Sequence, residues 1–129
     1  MIRGTNVEFR FNLPYNFSDL DIVKITFWQD GYNGPARYRP LPITKVLAQC
    51  RQGENERQLS VVLNQEETLR FTDQRKAKVQ LRAITQTGIP IATKERLIMV
   101  YPVEDDSILD VMPTPMPDEW VYLDGEAIV

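Results

Sequence analysis

Apolar and polar side chains alternate along two stretches near the start of the chain. Within the stretch 5–13, every second residue from Val7 onward is apolar: Val7, Phe9, Phe11 and Leu13. The stretch 21–29 repeats the pattern with Val23, Ile25 and Phe27 on one side and Lys24, Thr26 and Trp28 on the other. A period of two residues predicts a strand with one face on a core and one towards solvent. Glu8, Arg10 and Trp28 are therefore predicted to face outward, and Trp28 is a candidate interface residue.

A second pattern, in residues 59–85, predicts a strand, one helical turn and another strand. Leu59, Val61 and Leu63 alternate with other residues, as do Val79, Leu81 and Ala83. Between them, Asn64 is a residue type that caps helices, so a short turn is expected over 65–71. This stretch is expected to cross between two sheets, with core positions at Leu63, Leu69, Phe71 and Leu81.

The remaining strands are less sharply defined. Pro40 and Pro42 cannot serve a central strand, so 36–41 is predicted as an edge segment. One strand or two short ones are predicted over 43–50, followed by a charged loop over 51–57. Gln86–Pro90 predicts a hairpin turn, and 91–101 is predicted to be one last strand that is apolar on both faces at its end. Polar turns are predicted at 15–19 and 29–35.

Together these elements predict an all-β protein, an antiparallel immunoglobulin-like β-sandwich with one short helical turn. Leu63, Glu67 and Phe71 stand in a spacing that resembles the crossing between sheets in immunoglobulin-like and fibronectin-like domains, although the cysteine and tryptophan marks of true immunoglobulin domains are missing. The sandwich domain is expected to cover 1–103, and an extended C-terminal arm to cover 104–129.

Charge divides the chain at the same point. The net charge is −3, but all 15 Lys and Arg lie in 1–103, where only 10 of the 18 Asp and Glu are found. The domain therefore carries +5 and the arm −8. Pro113, Pro115 and Pro117 favour extended backbone, which predicts an acidic spacer before a docking segment over 119–129.

The docking segment is rich in large apolar side chains, which a disordered tail would not carry. Its predicted interface residues are Trp120, Val121, Tyr122, Leu123 and Ile128. They can dock on a neighbouring subunit, or fold back on their own domain and cover Ile98 and Val100. Either arrangement would bury the aromatic side chains.

Candidate chemistry is sparse. Histidine is absent and Cys50 is the only cysteine, so a His-based catalytic triad, a Cys/His zinc site and an intramolecular disulfide are all excluded. Neither glycine-rich phosphate-binding motif occurs. The close carboxylate pairs Asp19/Asp21, Glu66/Glu67 and Asp105/Asp106 fall in predicted turns or linkers, where the burial that a two-carboxylate active site demands is not expected. We predict no catalytic, cofactor-binding or metal residues, and no enzyme activity.

Basic residues cluster at Arg75, Lys76, Lys78 and Arg82. Only Lys78 and Arg82 share the outward face of a predicted strand, and no aromatic residue lies between them in sequence. A solvated face or a partner for the acidic arm is favoured over a nucleic-acid site. Nucleic acid is therefore not an expected partner. A membrane is not expected either, because no apolar run approaches the ~18 residues of a membrane span.

Four stretches of the chain resemble a family of small proteins encoded by tailed bacteriophages. They are Met1–Thr5 (Met-Ile-Arg-Gly-Thr), Phe11–Pro14, Leu63–Phe71 and Val79–Arg82. This resemblance covers about residues 1–103 and implies a virion-associated structural role in head decoration, neck or tail, assembled in the host cytoplasm. The expected partners are other virion proteins or copies of itself. The arm is not implied by the resemblance. The alternative is a binding module, either receptor-binding and adhesin-like or blocking a host factor, in which Trp28 or Tyr38 would be exposed.

Overall fold

The computed structural model describes residues 1–30, 41–72, 75–103 and 121–127, and in the last range Leu123 is the only side chain described. Within these ranges the chain forms nine strands, β1 (Val7–Asn12), β2 (Leu20–Trp28), β3 (Ile43–Val46), β4 (Arg51–Gln52), β5 (Gln58–Leu63), β6 (Ala77–Thr85), β7 (Pro90–Thr93), β8 (Arg96–Ile98) and β9 (Val121–Ala127). The short helix α1 covers Gln65–Thr68, and 3₁₀ turns cover Phe17–Asp19 and Leu47–Gln49.

The strands form two antiparallel sheets in a sandwich-like arrangement. One sheet has three strands in the order β4-β5-β1, and the other has five, β3-β2-β6-β7 with β8 also paired to β6. β9 runs parallel to β1 and antiparallel to β7, so it joins the two sheets. The prediction of an antiparallel, mostly β fold with one short helix is confirmed; an immunoglobulin-like strand order is not.

The core lies where the inward sides of the two sheets meet. Phe9 of β1 and Phe27 of β2 belong to different sheets, and their rings meet edge to face with centroids 4.9 Å apart. The alternation in β1, β2 and β6 therefore reflects burial, because the apolar positions of each strand are among the least exposed residues. The four core positions predicted in the crossing stretch, Leu63, Leu69, Phe71 and Leu81, are all fully buried.

The crossing between the sheets is held by α1. β5 belongs to the three-stranded sheet and β6 to the five-stranded sheet, so the chain crosses between them, as predicted. The Asn64 side chain accepts from the Glu67 backbone N–H at 2.9 Å, and the Glu67 carboxylate accepts from the Asn64 N–H at 3.0 Å. These reciprocal bonds form a capping box, which satisfies two N–H groups that a helix start leaves open. Lys45 Nζ of β3 then pairs with Glu67 at 2.7 Å.

Three expectations differ from the structure. Glu8 and Arg10 were predicted to face solvent, but both are buried, because β5 and β9 flank β1 and the two side chains pair with each other. The last strand is divided into β7 and β8, with Lys94 and Glu95 between them. The stretch 43–50, predicted as one strand or two short ones, forms the single strand β3, which ends at Val46 and is followed by a 3₁₀ turn.

Further along the chain, the charged loop over 51–57 begins with the short strand β4. The hairpin turn at 86–90 is confirmed, and Gly88 has a φ of +87°, a conformation that glycine adopts without strain. The edge segment predicted at 36–41 lies outside the described residues except at Leu41, and so does most of the turn at 29–35.

Candidate assembly surfaces

The first candidate surface is the position of β9 between two other strands. Phe9 and Phe11 of β1 are in register with Val121 and Leu123, and Ile91 of β7 is in register with Ala127. The other edge of β1 is paired with β5, and the other edge of β7 with β6. β9 therefore supplies the hydrogen-bonding partner for one edge of each sheet, and exposed strand edges of this kind otherwise promote association.

The predicted interface residues of the arm fall differently relative to β9. Leu123 is 5% exposed and belongs to the hydrophobic core. Val121 and Tyr122 lie in β9, where the backbone alone is described. Trp120 and Ile128 lie outside the described residues, as does the spacer 104–118. In the structure of the single chain, β9 pairs with strands of its own domain.

The second candidate surface is the outward side of β2 and β6. Their paired outward positions are Ile22 with Ile84, Lys24 with Arg82, Thr26 with Gln80 and Trp28 with Lys78. We define the outer sheet face as Ile22, Lys24, Thr26, Trp28, Gln80, Arg82 and Ile84. Trp28, predicted as an exposed or interfacial aromatic, is half-buried at one end of this face.

Two shallow depressions mark the outer sheet face. One, of about 220 Å³, is lined by Lys24, Thr26, Trp28, Gln80 and Arg82. The other, of about 230 Å³, is lined by Ile22, Lys24, Arg82, Ala83, Ile84, Pro90 and Ile91. Lys24 and Arg82 border both depressions, so the two cations stand at the middle of the face, between Trp28 and the two isoleucines.

The cations of this region are not equivalent. Lys78 pairs with Asp30 and, at 3.5 Å, with Glu95; the hydrogen bond to Asp30 is the main reason that its pKa is raised. In contrast, the side chains of Lys24 and Arg82 make no ion pair or hydrogen bond with any residue that the structure describes. Among the described residues of β2 and β6, the positive charge available to a partner is therefore concentrated at Lys24 and Arg82.

Much of this face could not be predicted from the sequence. Lys78 and Arg82 were grouped with Arg75 and Lys76, but Arg75 donates to the backbone carbonyl of Asp30. No aromatic residue adjoins Lys78 in sequence, yet pairing of β2 with β6 places Trp28 opposite it. The alternation in β2 already placed Lys24 and Trp28 on one side of the strand. The sequence contained no signal that β6 is the strand paired with that part of β2.

A buried ionic cluster occupies the polar side of β1. Glu8 accepts from Ser60 Oγ at 2.8 Å and from Arg10 Nε at 2.5 Å, and Arg10 also pairs with Glu54 at 2.6 Å. Burial alone would raise the pKa of Glu8, but the hydrogen bonds from Ser60 and Arg10 and the charge of Arg10 outweigh it and hold that pKa below its ordinary value. The cluster ties β1 to β5 and to the loop after β4.

The other candidate residues serve structure or are exposed. Glu67 belongs to the capping box, Glu66 pairs with Arg70 at 3.7 Å, and Asp19 and Asp21 are exposed. Asp105 and Asp106 lie outside the described residues. In the described part of the chain, no group of three or more Asp, Glu or Cys side chains is arranged to hold a metal ion.

Cys50 is partly buried at the edge of the core, and its thiol donates to the Val46 carbonyl with a sulfur–oxygen distance of 3.3 Å. Burial raises the pKa of this thiol to about 11, although the charge of Lys45 opposes the shift. The reactive thiolate is therefore scarce at neutral pH, and Cys50 packs against the core as a small apolar residue.

Comparison with protein-family models, with curated proteins and with solved structures finds no match for this chain. Among the described helices, none has the length and apolar character needed to cross a membrane.

Proposed function

We propose that the protein is a non-enzymatic structural component of a bacteriophage virion, in head decoration, neck or tail, and that copies assemble through the sandwich and an exchanged C-terminal arm. The observation that carries this proposal is the position of β9. It completes both sheets, yet 17 residues, 104–120, separate it from Val103. The resemblance of residues 1–103 to tailed-phage proteins supplies the virion context, and the immunoglobulin-like strand order stays part of this proposal.

Strand exchange requires no new type of contact. A β9 strand from a neighbouring copy would make the same backbone hydrogen bonds to β1 and β7 and place Leu123 in the same core site, so the two arrangements differ little in contact energy. An extended spacer of 17 residues spans about 50 Å at ~3 Å per residue, enough to reach a neighbour. Other virion proteins or copies of itself are the partners in this proposal, with assembly in the host cytoplasm and no cofactor.

A cysteine pair across β1 and β9 tests the exchange. Asn12 and Asp124 are in register, so Asn12→Cys/Asp124→Cys in a Cys50→Ser background lets a disulfide report which chain supplies β9. We expect covalent dimers or longer chains on non-reducing gels after oxidation at micromolar concentration.

The control uses the same first position with a partner from the same domain. Gln58 Nε2 donates to Asn12 Oδ1 at 3.0 Å, so Asn12→Cys/Gln58→Cys should give monomers only. If the Asn12→Cys/Asp124→Cys chain also gives monomers only, with its cysteines fully oxidised, β9 stays in its own domain and the exchanged arm is excluded.

A binding module is the second candidate, and the outer sheet face is the observation that favours it. It carries a half-buried tryptophan and two cations that form no ion pair with a described residue, and tryptophan and arginine are enriched at recognition sites. This function requires a chain that is monomeric in the cysteine test and that binds a host protein or glycan through Trp28. Loss of that binding in Trp28→Ala, with unchanged thermal stability, would select it over the virion role.

A further inference from the structure

The centre of the outer sheet face holds an unbalanced charge. Lys24 and Arg82 are direct partners across β2 and β6, and like charges at directly opposed positions destabilise a sheet. Both side chains are exposed, and no described acidic side chain neutralises either of them. An acidic partner would remove this repulsion on binding.

Apolar side chains lie at both ends of the outer sheet face, with the two cations and the polar pair Thr26 and Gln80 between them. Ile22 is 55% exposed and Ile84 39% exposed, and these two lie opposite each other at one end of the face. Trp28 lies at the other end. Tryptophan and arginine are among the residues enriched at protein interfaces, and exposed apolar side chains add area that an interface can bury. The face therefore suits a segment that carries both carboxylates and large apolar groups.

The chain itself contains such a segment. Residues 104–120 hold six carboxylates and no Lys or Arg, and they also include Ile108, Leu109, Val111, Met112, Met116 and Trp120. We infer that the outer sheet face binds residues 104–120 of a second copy of this chain. The inference deepens the proposed assembly role and rests on it, since the neighbouring copy must supply the segment.

Nucleic acid fits the face less well. Binding to a phosphate backbone draws its strength from several cations acting together, and here Lys78 is already neutralised by Asp30 and Glu95. Trp28 is the single aromatic on the face among the residues that the structure describes, whereas single-stranded nucleic acid needs successive stacking platforms. The flanking isoleucines offer no stacking surface.

A charge-swap experiment on the full chain tests the inference. The face variant is Lys24→Glu/Arg82→Glu, and the segment variant is Asp105→Lys/Asp110→Lys. By sedimentation equilibrium we expect wild type to self-associate, and each variant alone to do so about tenfold more weakly. Mixing the two variants should restore association, because each then offers the other a complementary face and segment.

The control variant is Arg57→Glu/Lys94→Glu, which matches the face variant in net charge and alters two exposed cations outside the face. It should associate as wild type does. Equal weakening in the control and face variants would reduce the effect to net charge and overturn the inference. The inference would also be overturned if the mixture of the two variants stayed monomeric. It would likewise be overturned if the wild-type protein were monomeric at 100 µM.

Two further measurements distinguish binding of the segment from nucleic-acid binding and from strand exchange alone. Binding of a single-stranded oligonucleotide by wild type, lost in the face variant, would assign the face to nucleic acid and overturn the inference. The Asn12→Cys/Asp124→Cys disulfide reports strand exchange independently. In one outcome, covalent dimers form equally in the wild-type and face-variant backgrounds while the face variant also associates as strongly as wild type. This result would support strand exchange and exclude binding of the segment to the outer sheet face.

Discussion

Glu8 is a buried carboxylate that is stabilised by hydrogen-bond donors and by positively charged side chains. Ser60 and Arg10 both donate to it, and Arg51 lies 3.5 Å away. A buried charge is tolerated when it is paired and hydrogen-bonded. Arg10 is stabilised in turn by Glu54, so the cluster balances two carboxylates against Arg10 and the more exposed Arg51.

The lowered pKa of Glu8 predicts a defined loss of stability in acid. Because the folded-state pKa lies below the ordinary value of 4.5, the stabilisation is fully present above pH 4.5 and is lost as the pH falls through the folded-state value. Glu8→Gln should cost about 1–3 kcal/mol at neutral pH, since it leaves buried donors poorly satisfied. It should also flatten the pH profile of the free energy of unfolding.

Urea unfolding between pH 7 and pH 3 measures both effects. Glu56→Gln is the matched control, because Glu56 is exposed and its side chain makes no ion pair with any described residue. A Glu8→Gln chain that loses stability in acid as steeply as wild type would show that other carboxylates carry the acid sensitivity.

Alternation alone could not reveal this cluster. The pattern in 5–13 correctly separates Phe9 and Phe11 from Glu8 and Arg10, so the strand and its core side were predictable. The burial of the polar side was not, because it depends on Ser60 and Glu54, which lie 52 and 44 residues away from Glu8 and Arg10. Alternation shows which side chains lie on the same face of a strand. Whether that face is buried depends on contacts with residues that are distant in sequence.

At the scale of elements, α1 shows which features local sequence determines. Its start depends on Asn64 and Glu67, which lie three residues apart, so a cap could be predicted from the residues themselves. The Lys45–Glu67 pair could not, because it requires that β3 lie beside the crossing. The division of β7 from β8 was missed for a similar reason. The polar run Thr93–Arg96 contains no turn residue, and only the separate pairing of β7 and β8 with β6 shows that it joins two strands.

Asn64→Ala is expected to destabilise the protein by about 1 kcal/mol, because the Glu67 N–H loses its side-chain acceptor at the start of α1. Asn16→Ala is the control: Asn16 precedes the 3₁₀ turn Phe17–Asp19 in the corresponding position but makes no side-chain cap. Its replacement should change stability by a few tenths of a kcal/mol at most. Chemical denaturation compares the two, and equal losses would mean that the cap at Asn64 contributes nothing of its own.

At the scale of the molecule, β9 is the connection between the sheets. The acidic, proline-spaced arm and its apolar end were visible in the sequence, and so was Leu123 as a docking residue. The site that Leu123 occupies was not visible, because β1 and β7 are far apart in sequence and nothing in either indicates a strand between them. Parallel pairing of β1 with β9 brings together residues more than 100 positions apart.

Leu123 therefore carries the last prediction. Leu123→Ala should destabilise the folded protein by about 2–5 kcal/mol, because it removes a buried side chain at the strand that joins the two sheets. Leu97→Ala deletes the same atoms from a side chain that is 52% exposed and should cost less than about 1 kcal/mol. Thermal and urea unfolding of both variants measure the difference. Because Leu123 fills the same core site whichever copy supplies β9, this loss is expected with or without strand exchange. Equal losses in the free energy of unfolding for the two variants would mean that packing of β9 between the sheets does not stabilise the fold.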